Sequence, residues 1–110
     1  MTTAGTIDRD QLVATLDGGL GRFLQGVETE PRMDNGRFVG FRLRSFYPGD
    51  ARFADIDLHS GDTIVRVNGQ SVERPEQAIR VWNSLRVASE LWIEYLREDE
   101  PRELRLAIQD

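Results

Sequence analysis

Apolar and polar residues alternate at Val39, Phe41 and Leu43 against Gly40, Arg42 and Arg44, which predicts a half-buried strand over residues 38–44. Leu104, Leu106 and Ile108 repeat the same period of two near the C-terminus, and a third apolar run covers residues 91–97. A fourth strand is predicted over residues 63–67, because Asn68-Gly69 behind it is a type I′ hairpin signal leading to a short strand ending at Val72. Asp34-Asn35-Gly36 is a second hairpin signal, folding the preceding segment onto residues 38–44. Within that segment Pro31 forbids a central strand position and suggests a sheet edge.

Two stretches carry the helical period instead. Pro75 suits a first helical position, and Ala78, Val81, Trp82 and Leu85 then form the core-facing stripe of a helix reaching about Val87. Ile79, Asn83 and Arg86 lie on its adjoining flank. Near the N-terminus Asp8 can cap a helix, Gln11 can close a capping box and Ile7 can staple onto Leu12. Leu12, Val13 and Leu16 give that helix one apolar stripe, and Gly18-Gly19 ends it. Residues 20–33 fit either a continued helical face through Phe23, Leu24 and Val27 or the start of an irregular strand. A turn is expected at residues 47–50, a short helical turn at 53–56 and a tight turn at Ser60-Gly61-Asp62. The expected fold is α+β: a small, largely antiparallel sheet capped by two or three helices.

At 110 residues the chain has room for one core and no separate catalytic lobe. The excess of 19 acidic residues over 14 basic ones repels phosphate backbones, so nucleic acid is not an expected partner. Every one of those 14 is arginine, a bias that follows most simply from codon usage. With no cysteine there is neither a disulfide framework nor a thiolate metal site. No apolar run approaches the ~20 residues that span a bilayer.

Catalytic chemistry finds little support. The single histidine, His59, shares one tight turn with Ser60 and Asp62, whereas a nucleophilic relay needs groups converging from separate segments. The stretch from Asp55 through Asp57 and His59 to Gly61 superficially matches a calcium loop, but Ser60 and Arg66 stand where that loop needs glycine and glutamate. Glu98-Asp99-Glu100 reads as a solvated hairpin tip, and the glycines form no phosphate cradle. Trp82 and Trp92 both fall within apolar periodicity, so core packing is expected of each. No catalytic residue, metal site, cofactor or small-molecule substrate is expected.

A wider pattern joins these pieces. Leu58-His-Ser-Gly61-Asp62-Thr-Ile-Val-Arg-Val67-Asn68-Gly69, followed by Pro75-Glu-Gln-Ala78, resembles the cassette of a bacterial PDZ domain. Gly36-Arg-Phe-Val-Gly40-Phe-Arg-Leu43, Tyr47-Pro-Gly49 and Phe53 add a likeness to the C-terminal domain of type II secretion system protein C. The likeness spans roughly residues 20–109, with residues 1–19 as a helical lead-in and residues 20–110 as the PDZ-like domain, a partly open barrel. Two departures stand out. Asp57 replaces the usual glycine before Leu58, and Arg97-Glu-Asp-Glu-Pro101 replaces the usual Arg-Asp-Gly hairpin.

The resemblance implies a non-catalytic module that binds a peptide or protein, either a secreted protein or a secretion-machinery component, along one strand and one helix. Mapped onto this chain, the implied groove comprises Phe38, Val39, Gly40, Phe41, Arg42 and Leu43 on the strand and Ile79, Trp82, Asn83 and Arg86 on the helix. Gly40 would let a ligand backbone approach, or equally mark a bulge. The implied setting is the periplasmic part of an inner-membrane protein. Residues 1–6 lack a signal-peptide pattern, so that setting expects a longer parent chain. The alternative is a PDZ domain of an HtrA-like or membrane-embedded protease that recognises C-termini. Against it, no Gly-Leu-Gly-Phe-type carboxylate loop precedes the strand, the nearest candidate being Met33-Asp34-Asn35-Gly36, so weak recognition of free C-termini is expected. A third reading is an oligomerisation module whose groove is filled by residues 6–20.

Overall fold

In the computed structural model of the chain, residues 2–50 and 56–110 are described. The helical turn expected at residues 53–56 lies, up to Ile56, outside the described residues. Seven strands form one open mixed sheet: β1 (Thr2–Asp8), β2 (Val27–Asp34), β3 (Arg37–Phe46), β4 (Thr63–Val67), β5 (Gln70–Ser71), β6 (Glu90–Arg97) and β7 (Glu100–Gln109). Among the described residues three α-helices interrupt them: α1 (Arg9–Asp17), α2 (Leu20–Phe23) and α3 (Pro75–Ser84). The spatial order is β1-β7-β6-β4-β3-β2, with the short β5 paired to β4.

The hairpin signals act through backbone geometry. Asn35 and Gly36 adopt φ of 53° and 78°, and Asn68 and Gly69 adopt 50° and 76°, the left-handed pair a type I′ turn requires. Asn68 also anchors its hairpin to β6, since its side chain accepts from the Trp92 N–H at 2.6 Å and donates to the Glu90 carbonyl at 3.1 Å. Glu98 and Asp99 take the same left-handed conformation, at φ of 53° and 66°. The hairpin tip expected at Glu98-Asp99-Glu100 is therefore a two-residue turn, with Glu100 already the first residue of β7.

The N-terminal residues depart from expectation. Thr2–Asp8 is a strand running parallel to β7, from Thr2 opposite Glu103 to Asp8 opposite Gln109. Asp8 ends it and caps α1, its carboxylate accepting from the Asp10 N–H at 3.3 Å. Leu12 and Leu16 of α1 are buried with Leu85 and Ile108, and Ile7 and Trp82 pack against them. A second cluster of Leu43, Leu58, Ile93, Tyr95, Leu104 and Leu106 forms the main core.

Polar clasps reinforce the docking of α1. Arg9 donates to the Arg86 and Ala88 carbonyls at 2.8 and 2.9 Å and pairs with the Asp110 carboxylate. Those two carbonyls follow the C-terminal end of α3, where orphan acceptors favour a cation. Asp17, at the other end of α1, pairs with Arg86 at 2.7 Å.

Helix α3 has the expected faces. Pro75 opens it, and the Gln77 side chain accepts from the Glu73 and Arg74 N–H groups at 2.8 and 3.1 Å. Val81 and Leu85 are buried, while Ile79 is 50% exposed. Trp92 departs from its expected core position. It alternates with buried Ile93 and Tyr95, so it falls on the opposite face of β6, half-buried beneath the Arg105 guanidinium 4.2 Å from its ring.

Candidate functional site

The strand read from the sequence as the groove strand lies inside the sheet. β3 pairs with β2 from Arg37 to Phe46 on one edge, and with β4 at Phe41–Ile64 and Arg42–Thr63 on the other. The Leu43 N–H donates to the Asp62 carbonyl at 2.7 Å, and the Gly61 N–H to the Leu43 carbonyl at 2.7 Å. The centre of β3 therefore has no edge to offer an added strand. Gly40 answers to the same neighbour: a Cβ there would sit 2.2 Å from the Ile64 carbonyl oxygen. The backbone that comes close is that of β4.

The β3 side chains serve the sheet. Leu43 is buried in the core. Phe38 and Phe41 meet edge to face at 5.2 Å, Val39 is half-buried, and exposed Arg42 pairs with Glu30 at 3.7 Å.

Among the described residues two strands end the sheet order with an unpaired outer edge, β1 and β2, and β2 is the one whose lead-in reaches α3. The sequence of β2, Val-Glu-Thr-Glu-Pro-Arg-Met-Asp, is largely polar because Glu28, Thr29, Pro31, Met33 and Asp34 are all exposed. Pro31 lies at an edge, as expected, where its missing N–H weakens indiscriminate strand pairing.

The lead-in to β2 touches α3. Four residues before Val27, the Phe23 ring lies 5.2 Å from Trp82, with further ring contacts to Tyr47 at 5.4 Å and Phe46 at 6.4 Å. Tyr47 donates its hydroxyl to the Phe23 carbonyl and its N–H to the Gly26 carbonyl at 2.7 Å. Gly26 is packed so closely that a Cβ would meet the Tyr47 ring at 2.4 Å. The segment preceding the free-edge strand is thus residues 19–26, which opens Gly19-Leu20-Gly21-Arg22-Phe23, so the expected lack of a Gly-Leu-Gly-Phe-like run holds before β3 and not before β2. Met33–Gly36, the carboxylate-loop candidate, lies at the other end of β2, where it makes the turn into β3.

The four helix residues take different roles. Ile79 and Asn83 are exposed, and Trp82 is half-buried against Phe23. Arg86 is committed to Asp17 of α1. Exposed Leu24 and Met33, at 48% and 56%, are apolar residues near the two ends of β2 that the groove residues chosen from the sequence leave out. A polar edge strand gives no periodic signal, although Pro31 did mark the edge.

The turn before β4 is held by an ionic network. Arg97 grips buried Asp62 through Nε–Oδ1 at 2.9 Å and Nη2–Oδ2 at 2.8 Å, and Asp62 also accepts from the His59 N–H at 2.8 Å. Asp57 accepts from Tyr95 at 2.8 Å, Arg97 at 3.2 Å, Arg102 at 3.3 Å and Thr3 at 3.2 Å, which accounts for a carboxylate at this position. Burial opposes the charge on Asp57, but the hydrogen bonds from Tyr95 and Arg97 and the Arg97 charge outweigh it and hold the carboxyl down at about 2. Burial raises the Tyr95 hydroxyl against an opposing bond from Arg102, and the bond to Asp62 raises Arg97. These partners are saturated, and they fix the turn and fasten Thr3 of β1 to the body.

Solved structures share this architecture. The chain superposes on the PDZ domain of the pullulanase C protein of the type II secretion system from Klebsiella pneumoniae, solved in complex with a fatty acid. That match has 22% identity and a TM-score of 0.56, over 88% of this chain and 99% of that one. Two pieces of the PDZ domain of EpsC from Vibrio cholerae match with TM-scores of 0.58 and 0.57. The longer covers 90% of this chain at 18% identity and the shorter 78% at 19%, with 96% and 98% of their own lengths aligned. No family model matches the chain, and no curated protein matches it in sequence. The chain has the PDZ fold and resembles the PDZ domains of type II secretion protein C.

Proposed function

We propose that this chain is a non-catalytic interaction module, the periplasmic PDZ domain of a type II secretion system inner-membrane protein C, which binds a secreted protein or another component of the machinery. The observation that carries the interaction reading is the unpaired outer edge of β2, whose lead-in residue Phe23 contacts Trp82 of α3. A partner segment adds to that edge through main-chain hydrogen bonds, and exposed Ile79 supplies an apolar contact on the helix side. The groove is accordingly formed by Thr29–Met33 backbone, Leu24, Ile79 and Asn83, with β3 as the floor strand behind it. The secretion assignment is supported by the likeness to pullulanase C and EpsC. Among the described residues no helix is long and apolar enough to cross a membrane.

Backbone NMR tests the reading. Titration with a folded secreted protein should shift residues 28–33 and 76–83 together, with little response to peptides bearing free apolar C-termini. Binding of such peptides at about 1 μM or tighter, worth about −8 kcal/mol, would favour the protease-type PDZ instead. Shifts spread over β1 and β7 with none in β2 would remove the groove from the account.

A further inference from the structure

We infer that Phe23 is an intrachain latch that closes the head of the β2–α3 groove, so that a partner must displace it with a large apolar or aromatic side chain of its own. This rests on the groove reading above and adds its regulation. Phe23 stands four residues before the free-edge strand, and its ring meets Trp82, the half-buried aromatic of the helix wall, at 5.2 Å with the two planes tilted by 48°. Direct ring-to-ring contact leaves no space there for a ligand side chain while Phe23 stays in place.

Its carrier is built to open. α2 has four residues and no side-chain cap, and neither it nor the Leu24–Gly26 turn after it contains a buried residue. By contrast α1, immediately before, buries Leu12 and Leu16. A segment with few buried apolar groups opens at lower free energy than the body it rests on. Glycines bracket it: Gly18 and Gly19 on one side, the latter at φ +89°, and Gly26 on the other. Gly19, with open space around it, absorbs backbone rotation at little steric cost, whereas Gly26 turns only once the Tyr47 ring has moved. The contacts that hold the segment shut include the rings of Phe46, Tyr47 and Trp82 and the two Tyr47 bonds to its backbone. Exposed Leu24 and Ile79 give an incoming apolar segment a place to land before Phe23 moves.

The latch is tested in the full chain carrying Trp92→Phe, which leaves Trp82 as the sole indole. Hydrogen exchange should find the amides of residues 22–26 opening at least about tenfold faster than the hydrogen-bonded amides of α1. Protection equal to that of α1 would overturn the latch without reference to any ligand. The second arm uses a fluorescein-labelled, C-terminally amidated octapeptide of alternating Thr and Val with one central Phe. Phe23→Ala should bind it about tenfold more tightly than the parent, with Trp82 emission altered. Phe23→Leu should fall between them, and serves alone if the alanine variant does not fold. Equal affinity in parent and variant, abolished in both by Ile79→Arg, would sink the latch and leave the groove standing. Equal affinity insensitive to Ile79→Arg, or no binding by any variant, would overturn both.

Discussion

Arg97 and Asp62 form a two-bond ion pair, Nε to Oδ1 at 2.9 Å and Nη2 to Oδ2 at 2.8 Å, with the Asp62 side chain only 2% exposed. The pair links the last residue of β6 to the turn that opens β4, so one guanidinium fixes the spacing of two strands and the shape of a loop. Its planar fork matches both carboxylate oxygens, a geometry that lysine cannot reproduce. Arg97→Met should cost about 3 kcal/mol, because it strands a buried carboxylate, and Arg97→Lys should recover only part of that. Urea unfolding of the three proteins measures both differences, and equal stability of the lysine variant and the parent would show that the fork geometry is irrelevant.

Asp57 gives the domain an acid-sensitive component. Its carboxyl sits at about 2 in the folded chain against an ordinary 3.8, so the folded state binds the proton more weakly than the unfolded one. The stabilisation is complete above pH 4 and lost as the pH falls from about 4 to 2, and a shift of this size corresponds to about 2 kcal/mol. The stability gap between the parent and Asp57→Asn should therefore narrow by about that amount over the same interval. A gap independent of pH would mean that the charge of Asp57 contributes nothing.

Gly40→Ala tests why a glycine occupies the middle of β3. A methyl group 2.2 Å from the Ile64 carbonyl oxygen forces two paired backbones apart, at a cost of about 3 kcal/mol. The loss should appear in thermal unfolding of the free domain. Unchanged stability together with lost partner binding would restore the idea that a ligand backbone occupies that space.

The two faces of α3 separate binding from folding. Ile79→Arg should leave the unfolding midpoint nearly unchanged while abolishing partner binding, since Ile79 is 50% exposed. Leu85→Ala removes a side chain 7% exposed, packed against α1 and β7, and should cost about 2–5 kcal/mol. Similar stability losses in both would mean that Ile79 packs against the domain.

Much of this architecture is legible in the chain because it is local. Asn35-Gly36 and Asn68-Gly69 specify their hairpins by dihedral preference, and the Val81–Leu85 stripe fixes the buried side of α3. What is hidden is lateral. The alternation at Val39, Phe41 and Leu43 marks a half-buried strand but says nothing of which strands flank it, so β3 looks available until β4 is placed beside it. β2 does not present a period because its side chains are exposed on both faces, and β1 is invisible because Thr-Thr-Ala-Gly-Thr joins the sheet through its backbone. Phe23 is legible as apolar, but its contact with Trp82 joins residues 59 positions apart.

The parallel pairing of β1 with β7 also fixes how the domain bears tension. Thr2 lies opposite Glu103 and Asp8 opposite Gln109, so the chain enters beside one end of β7 and leaves from the other. A pull on the two termini therefore slides these strands past each other and loads their rungs all at once, instead of peeling them apart singly. Arg9, gripping Asp110 just beyond the last rung, tightens the same joint. Single-molecule extension through the termini should meet one high rupture force, lowered sharply by Thr6→Pro, while extension through the β2–β3 turn and the C-terminus should peel strands at much lower load.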